Sequence, residues 1–242
     1  MKTILQYLPD QLVDKKSDRI KIPNSTKRVR LDVGVSENAP MSRKWIEEDT
    51  TGELLIFGFE PHPESRKILR EGTSKWPNPI DPQEVGKRLI LLPFALQSKN
   101  EYGTARFYLT QNNSGCSSLF HPKTIPVQKE ITVETCSLSQ FFDYFPFESV
   151  PYIEYLKIDA QGADFNIVQG AGRYLEKVAV VTLETEETEY PSAKNNLADA
   201  EKFMLEHNFI PAKNLNCADP TFVNLLYKNL VESKKIKPFQ KG

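Results

Sequence analysis

The stretch Leu156-Lys157-Ile158-Asp159-Ala160-Gln161-Gly162-Ala163-Asp164 is an apolar run of strand length that ends in a carboxylate and leads directly into a helix start. Two earlier stretches are built similarly: Leu31-Asp32-Val33-Gly34 ends in a glycine, and Phe57-Gly58-Phe59-Glu60-Pro61 has a carboxylate at its end. Open α/β sheets form their ligand sites at the carboxyl ends of their strands. Three such ends in one chain therefore predict a single crevice for a small molecule.

Patterns typical of strands and helices alternate along most of the chain. Strands are predicted at residues 29–33, 54–60, 89–94, 105–109, 131–135, 153–158, 178–183, 209–212 and 222–227. A first helix is predicted with Asn38 as its cap and Pro40 in its first turn. Further helices are predicted at residues 61–69, 137–145, 163–171 and 195–208.

This alternation implies βαβ crossovers and a mostly parallel sheet. The last two strands have no helix between them and predict an antiparallel hairpin at one end. We predict one α/β domain over residues 1–242, with a polar lead-in at 1–28 and a basic tail at 229–242.

The composition is ordinary for a globular protein, with 39% hydrophobic and 26% charged residues among 242. A net charge of −1 gives no electrostatic reason to expect a nucleic-acid partner. Residues 1–30 carry eight Lys and Arg against three Asp, and residues 228–242 carry five Lys against one Glu. We interpret these ends as solvated basic segments in preference to a surface for an anionic partner.

Cysteine and histidine usage indicates neither disulfides nor a metal site. Cys116, Cys136 and Cys217 are scattered, and the three histidines form no zinc-type pair. No apolar run approaches the ~20 residues of a membrane-spanning helix, and we expect no signal peptide, because no basic start followed by an apolar core is present. We therefore predict no bound metal, no membrane span and a cytoplasmic location.

The polar residues at the strand ends suggest which ligand fills the crevice. Gly34 lets a ligand approach the backbone closely, but the loop after it lacks the further glycines of a dinucleotide site. Glu60 follows Asp32 by 28 residues and is placed to accept both hydroxyls of an adenosine ribose. Asp159 and Glu184 end two later strands, where an unpaired carboxylate has a poor role in the core.

At these residues the chain resembles the FkbM-type methyltransferases, a class I family that depends on S-adenosylmethionine. The resemblance covers residues 29–183 with gaps. It is carried by Asp32-Val33-Gly34, Phe59-Glu60-Pro61-His62-Pro63, Ala95-Leu96-Gln97-Ser98, Ser117-Ser118-Leu119, Val133-Glu134-Thr135-Cys136-Ser137-Leu138 and Leu156-Lys157-Ile158-Asp159-Ala160-Gln161-Gly162-Ala163-Asp164.

The resemblance implies a doubly wound, seven-stranded, mostly parallel sheet with an antiparallel last strand, and S-adenosylmethionine as the cofactor. Asp32 and Gly34 would line its methionine portion, and Glu60 would hold the ribose. The full set of implied cofactor-binding residues is Asp32, Gly34, Ser36, Asn38, Glu60, Pro61, Ala95, Leu96 and Asp159. Two positions depart from the family pattern: the loop after Gly34 lacks a second glycine, and Gln161 replaces an acidic residue.

The acceptor is expected to be a sugar, a glycan or a similar small molecule that is methylated on a hydroxyl. The long loop at residues 111–129 is rich in Asn, Ser and Pro and is predicted to recognise it. The predicted substrate residues are Asn113, Ser117, Ser118 and Gln161. A base for the hydroxyl proton is predicted among Asp159, Glu184 and His121.

Three other functions stay open at this point. The altered loop after Gly34 is compatible with a methyltransferase fold that binds ligands but no longer catalyses transfer. A nucleotide-dependent or dinucleotide-dependent oxidoreductase could use a related sheet, although the missing glycines count against it. A nucleic-acid methyltransferase is suggested only by the basic ends of the chain.

Overall fold

Runs of Val, Leu, Ile and Phe form short strands that are buried on both faces, as expected for a parallel sheet covered by helices. The structure, a computed structural model, describes residues 3–111, 113–185, 187–212, 219–233 and 235–236. Its strands are β1 (Val13–Asp14), β2 (Arg19–Ile20), β3 (Arg28–Val33), β4 (Leu54–Phe59), β5 (Leu89–Leu92), β6 (Phe94–Leu96), β7 (Gly103–Thr110), β8 (Val127–Cys136), β9 (Tyr155–Ile158), β10 (Val180–Leu183), β11 (Phe209–Pro211) and β12 (Thr221–Asn224).

Helices connect most of these strands. The α-helices are α1 (Pro40–Glu48), α2 (Pro63–Glu71), α3 (Leu138–Tyr144), α4 (Asp164–Gln169), α5 (Leu197–Glu206) and α6 (Lys228–Glu232). Short 3-10 helices span Ile4–Tyr7, Asp10–Leu12, Pro82–Glu84, Ser114–Cys116, Gly172–Lys177 and Leu225–Tyr227. Within the described residues, no helix combines the length and the apolar character needed to cross a membrane.

Seven strands form the central sheet in the order β11-β12-β10-β9-β3-β4-β5. The five strands from β10 to β5 are parallel, whereas β12 is antiparallel to both of its neighbours. Alternate residues of β4 enter two separate apolar clusters, one packed against α3 and α4 and the other against α1 and α2. The predicted doubly wound α/β sheet with a reversed last strand is therefore confirmed.

The third predicted strand is wrong in one respect, because it is two strands. Pro93 separates β5 from β6, and β6 joins a second, three-stranded sheet in the order β6-β8-β7. Proline has no backbone N–H and interrupts a hydrogen-bonded ladder. The chain therefore leaves the central sheet at Pro93, and the β7–β8 hairpin extends beside its carboxyl edge.

The cap of the first helix lies one residue later than predicted. Ala39 is the cap residue, with left-handed backbone at φ 46°, and Pro40 occupies the first turn as predicted. Asn38 does not cap this helix; its Oδ1 lies 3.3 Å from Ser36 Oγ. A proline fixes φ at a helical value, so Pro40 sets the helix start whichever residue precedes it.

The polar lead-in contributes to the core. Ile4, Leu8, Leu12 and Ile20 are each 8% exposed or less and pack in the larger apolar cluster, so the segment is not simply solvated. At the other end of the chain, residues 234 and 237–242 of the basic tail lie outside the described residues, as does Cys217.

Candidate functional site

The carboxyl ends of three neighbouring strands meet at one level. Val33 of β3 pairs with Phe59 of β4 and with Ile158 of β9, so the residues after each strand end lie side by side. A cavity that is partly open to solvent lies directly above them, and the empty space in and around it, including the open part, is about 510 Å³. Its lining residues are Val33, Gly34, Ser36, Phe59, Glu60, Pro61, Phe94, Ala95, Leu96, Phe107, Ser114, Gly115, Ser117, Leu119, Asp159, Ala160 and Ala163.

Gly34 forms the floor of the cavity where two strand ends nearly touch. Its backbone has φ +75°, and its N–H donates to the carbonyl of Phe59 at 3.0 Å. A Cβ at this position would overlap the backbone carbonyl of Asp159. Only glycine therefore allows β3 and β9 to end this close together while leaving space above them.

Glu60 is buried, with 5% of its surface exposed, and its carboxylate lies in the cavity wall. Its Oε2 accepts a hydrogen bond from Ser36 N at 2.8 Å, and its Oε1 accepts one from His62 N at 2.8 Å. Burial raises the pKa of Glu60 to about 7, against the opposing effect of these two N–H donors. The two N–H donors therefore fix the orientation of the Glu60 carboxyl group, and a polar ligand in the cavity would change its ionisation.

Asp32 does not line the cavity, contrary to the sequence expectation. Its Oδ2 accepts hydrogen bonds from the N–H and hydroxyl of Ser42 at 3.1 and 2.5 Å, which ties the end of β3 to α1. Burial raises the pKa of Asp32, and the Lys157 ammonium opposes that rise. Its Oδ1 is buried without a hydrogen-bond partner among the described residues.

Asp159 lies at the cavity edge inside a polar network. Its Oδ2 accepts from Lys157 Nζ at 2.8 Å, and its Oδ1 accepts from Gln161 Nε2 at 2.8 Å. The same Gln161 nitrogen donates to Glu184 Oε2 at 2.9 Å. Two carboxylates from adjacent strands, β9 and β10, are thus joined through one amide.

The acidic and basic groups of this network shift one another's pKa values. Burial raises the pKa of Glu184 to about 8, and the nearby Asp159 and Asp164 add to the rise. Burial lowers the pKa of Lys157, but Asp159 and Asp32 outweigh burial and bring it to about 12. Lys157 is therefore the ammonium that balances a group of carboxylates at this edge of the sheet.

Asp164 supports the site structurally, and its sequence position alone did not predict this role. Its carboxylate accepts from the N–H groups of Ala160 and Gly162 at 3.1 Å each and fixes the turn that carries Gln161. Burial raises its pKa to about 7. Its signal was local: an Asp at the first position of a helix bonds readily to preceding backbone N–H groups.

A loop between β7 and β8, residues 113–126, covers the cavity and is called the strap here. Ser114, Gly115, Ser117 and Leu119 of the strap line the cavity. Ser118 Oγ donates to the carbonyl of Gln161 at 2.6 Å, which attaches the strap to the turn after β9. The sequence predicts that this loop recognises the acceptor, and that role stays a prediction.

A second attachment joins the strap to the segment after β10. The Glu189 carboxylate accepts from Thr124 N and Ile125 N at 2.7 and 2.8 Å and from Thr124 Oγ1 at 2.5 Å. The Tyr190 hydroxyl lies 2.6 Å from the carbonyl oxygen of Cys116. Sequence reasoning missed both residues, because nothing local marks a contact between segments 65 residues apart.

The structure brings part of the predicted site together. The predicted residues that line the cavity are Gly34, Ser36, Glu60, Pro61, Ala95, Leu96, Ser117 and Asp159. Those outside the lining are Asp32, Asn38, Asn113, Ser118, His121, Gln161 and Glu184.

Four of the outlying residues have other contacts. Asn113 caps the 3-10 helix of the strap through its Oδ1 and Gly115 N, and Ser118 is fully buried. His121 is exposed, with its ring 5.0 Å from that of Tyr108 and its Nδ1 donating to the carbonyl of Pro122. Gln161 binds protein carboxylates and has no amide hydrogen left for a substrate.

Comparison with known proteins gives a family and two similar folds. The model of the Methyltransferase FkbM domain matches residues 32–211. The chain is similar to the crystal structure of Methyltransferase FkbM from Methylobacillus flagellatus KT, with TM-score 0.46 and 12% identity, over 89% of this chain and 48% of that one. It is also similar to a chain of a fibrillarin/Nop5p complex, with TM-score 0.38 and 16% identity, over 86% and 75%. The chain thus spans about half the length of the first structure. Comparison with curated proteins gives no match.

Proposed function

Because the Methyltransferase FkbM domain model matches most of its length, the chain belongs to this methyltransferase family, and on that premise we propose that it is an S-adenosylmethionine-dependent O-methyltransferase. Its acceptor is a hydroxyl of a sugar, a glycan or a similar small molecule. The observation that carries the proposal is the cavity where Gly34, Glu60 and Asp159 meet above three adjacent strands. A cytoplasmic location stays a prediction from the sequence.

The residues around the cavity suit this cofactor. Glu60 would hold the ribose, because its oriented carboxyl can accept from two hydroxyls. Ala95, Leu96 and Pro61 give an apolar wall for the adenine. Ser114 Oγ is buried in the lining without a hydrogen-bond partner among the described residues, so a polar ligand would satisfy it.

S-adenosylmethionine supplies a methyl group on positively charged sulfur. The carboxylates of Glu60 and Asp159 in the lining make the cavity favourable for a cation. Gly34 lets the ends of β3 and β9 approach each other, and strap residues line the cavity, so the protein contributes mainly by positioning the reacting groups.

The acceptor is proposed to lie on the Asp159–Glu184 side of the cavity. Asp159 carries a hydrogen-bond donor on each oxygen, from Lys157 and Gln161, and therefore serves better to orient the hydroxyl than to take its proton. Glu184 Oε1 accepts no hydrogen bond within the described residues. We assign the proton to Glu184, whose raised pKa of about 8 suits a group that receives a proton near neutral pH.

In the proposed transfer, the methyl group, the electron pair and the hydroxyl proton are all accounted for. When bound, S-adenosylmethionine would supply the methyl group to the acceptor oxygen, and its sulfur would keep the electron pair of the broken carbon–sulfur bond. The hydroxyl proton passes to the Glu184 carboxylate, directly or through one water. His121 has no part in this step, because it is exposed and bonded to the strap backbone.

Two measurements test the proposal. Calorimetry with S-adenosylmethionine and S-adenosylhomocysteine is expected to show micromolar binding that Glu60→Ala weakens about 100-fold, since a charge-assisted pair of hydroxyl contacts is lost. Label from methyl-tritiated cofactor is then expected in members of a panel of sugars and glycans. Cofactor binding with no transfer to any hydroxyl would indicate a binding module, and transfer to amines or nucleic acid alone would contradict the acceptor class.

A further inference from the structure

Gln161 lies at the centre of the polar network beside the cavity. Its backbone has φ +54°, a left-handed conformation that a glutamine adopts only when its surroundings hold it there. Its Nε2 donates to Asp159 and to Glu184, at 2.8 and 2.9 Å. The side chain is therefore committed to two carboxylates of the proposed site.

A carboxamide is the suitable group for this position. An ionised carboxylate only accepts hydrogen bonds, whereas the amide nitrogen of glutamine has two hydrogens to donate. Two carboxylates placed side by side repel each other unless a donor lies between them. Glutamine can therefore join Asp159 to Glu184, and a glutamate of the same shape cannot.

The same residue is held by the strap. Ser118 Oγ donates to its carbonyl oxygen at 2.6 Å. The Tyr190 hydroxyl shares its single proton between the carbonyl of Cys116, at 2.6 Å, and Gln161 Oε1, at 3.2 Å. Cys116 adjoins Gly115 and Ser117, which line the cavity. The cover of the cavity and the carboxylate pair are thus linked through one side chain.

We propose that Gln161 is a positioning residue for methyl transfer, which holds Glu184 against Asp159 in the geometry for proton acceptance while the strap lies closed over the cavity. This inference rests on the proposed function of the site. In this role Gln161 does not contact the substrate. The substrate-binding role predicted from the sequence is therefore replaced by one in which Gln161 holds other side chains of the protein.

Among the described residues, titratable groups from several neighbouring elements act on Glu184. The groups that act on it are Lys157 and Asp159 at the end of β9, Asp164 of α4, Asp219 ahead of β12, Cys116 of the strap and Tyr190 after β10. Burial and the three aspartates favour its protonated form, and Lys157 favours the ionised form. Removing the donor from Gln161 removes a further contribution that favours the ionised form.

The test is Gln161→Glu, read by the titration of the Glu184 carboxyl. In protein labelled with ¹³C at glutamate carboxyls, with Glu184→Gln to assign the signal, the midpoint is expected to move up by one pH unit or more. With an acceptor from the panel, kcat at pH 7.5 is expected to fall at least tenfold and to recover at higher pH. The dissociation constant of S-adenosylhomocysteine should change less than threefold.

Gln140→Glu is the matched control. Gln140 accepts from Ser137 N in a capping box at the start of α3, where glutamate serves equally well. This variant makes the same chemical change away from the site and should leave the Glu184 midpoint, kcat and binding unaltered. Tyr190→Phe leaves Gln161 in place but frees its Oε1, and a smaller upward shift of the midpoint is expected.

The outcomes separate this inference from the proposed function. If no acceptor is methylated but Glu184 titrates higher in Gln161→Glu, the positioning contact stands and the proposed activity fails. If transfer occurs and both the Glu184 midpoint and the pH profile match those of the unaltered protein, the role of Gln161 is refuted. If Gln161→Glu does not fold, the Glu184 titration is measured in Tyr190→Phe instead. An unchanged midpoint in that variant refutes the role of Gln161.

Discussion

At the scale of single residues, the site depends on a few positions where backbone and side chain are both constrained. Gly34 is the clearest, because its φ of +75° and the nearby carbonyl of Asp159 each exclude a side chain. Ser36 also has a positive φ, +64°, yet it is not a glycine, and its N–H is the donor that orients Glu60. The Glu60 carboxyl group thus holds the loop after β3 in its strained conformation, and the loop in turn orients the carboxyl group.

The residue-scale prediction is that Gly34→Ala destabilises the protein by about 3 kcal/mol and removes cofactor binding. The added Cβ meets a backbone oxygen, which can move only if β9 separates from β3. Urea unfolding measures the loss of stability, and calorimetry with S-adenosylhomocysteine measures the loss of binding.

Gly52→Ala is the control for this change. Gly52 has a similar φ of +70°, but nothing lies within 4 Å of a Cβ built on it. The stability of Gly52→Ala should therefore fall only by the cost of placing an alanine at a positive φ, about 1 kcal/mol. Equal losses in the two variants would show that the overlap with Asp159 is not the cause.

At the scale of elements, the strap and the segment after β10 act together as a cover. The Glu189 carboxylate holds Thr124 and Ile125, while Ser118 and Tyr190 fix the part nearer the cavity. The cavity is partly open to solvent, and opening some of these contacts would widen the exit for a bound ligand. Release of the product is therefore expected to depend on residues that never touch it.

Glu189→Ala tests the cover. The amides of Thr124 and Ile125 lose their acceptor and are expected to exchange with deuterium about tenfold faster, because a hydrogen bond to a charged group contributes roughly 1.5 kcal/mol or more. Dissociation of S-adenosylhomocysteine, followed by stopped flow, should accelerate in parallel. Glu187→Ala, at an exposed glutamate two residues away, should change neither rate.

At the scale of the whole molecule, several poorly solvated carboxyl groups lie together at the carboxyl edge of the central sheet, in and around the cavity. Burial raises the pKa of Glu60 and Asp164 to about 7 and that of Glu184 to about 8. In the unfolded chain these groups ionise near pH 4, so the folded state binds more protons between that pH and neutrality. Stability therefore falls as pH rises through this window.

Glu60→Gln isolates one such contribution in the protein without cofactor. The free energy of unfolding of the unaltered protein should fall from pH 5 to pH 8 by about 2 kcal/mol more than that of the variant. The change with pH is the readout, since the variant also loses an acceptor for Ser36 N or His62 N. Urea unfolding at both pH values measures it.

Glu48→Gln, at an exposed glutamate at the end of α1, provides the control. It should follow the unaltered protein at both pH values. If Glu60→Gln and Glu48→Gln show the same change with pH, the burial of Glu60 contributes nothing to the pH dependence.

The sequence by itself determined most of the alternation of strands and helices, the reversed last strand and the positions of Gly34, Glu60 and Asp159 directly after their strands. These features follow from local patterns: apolar runs of strand length, Pro40 at a helix start, and polar residues directly after a strand. Parallel pairing then brings the strand ends together without further information.

Only the tertiary structure decided which of those residues face the cavity. Asp32 turns to Ser42 and Gln161 to two carboxylates, while Tyr190 and Glu189 reach the strap from a distant segment. Side-chain direction and contacts between remote segments depend on which donors and acceptors meet after the chain has folded. That physical information is not contained in any single stretch of the sequence.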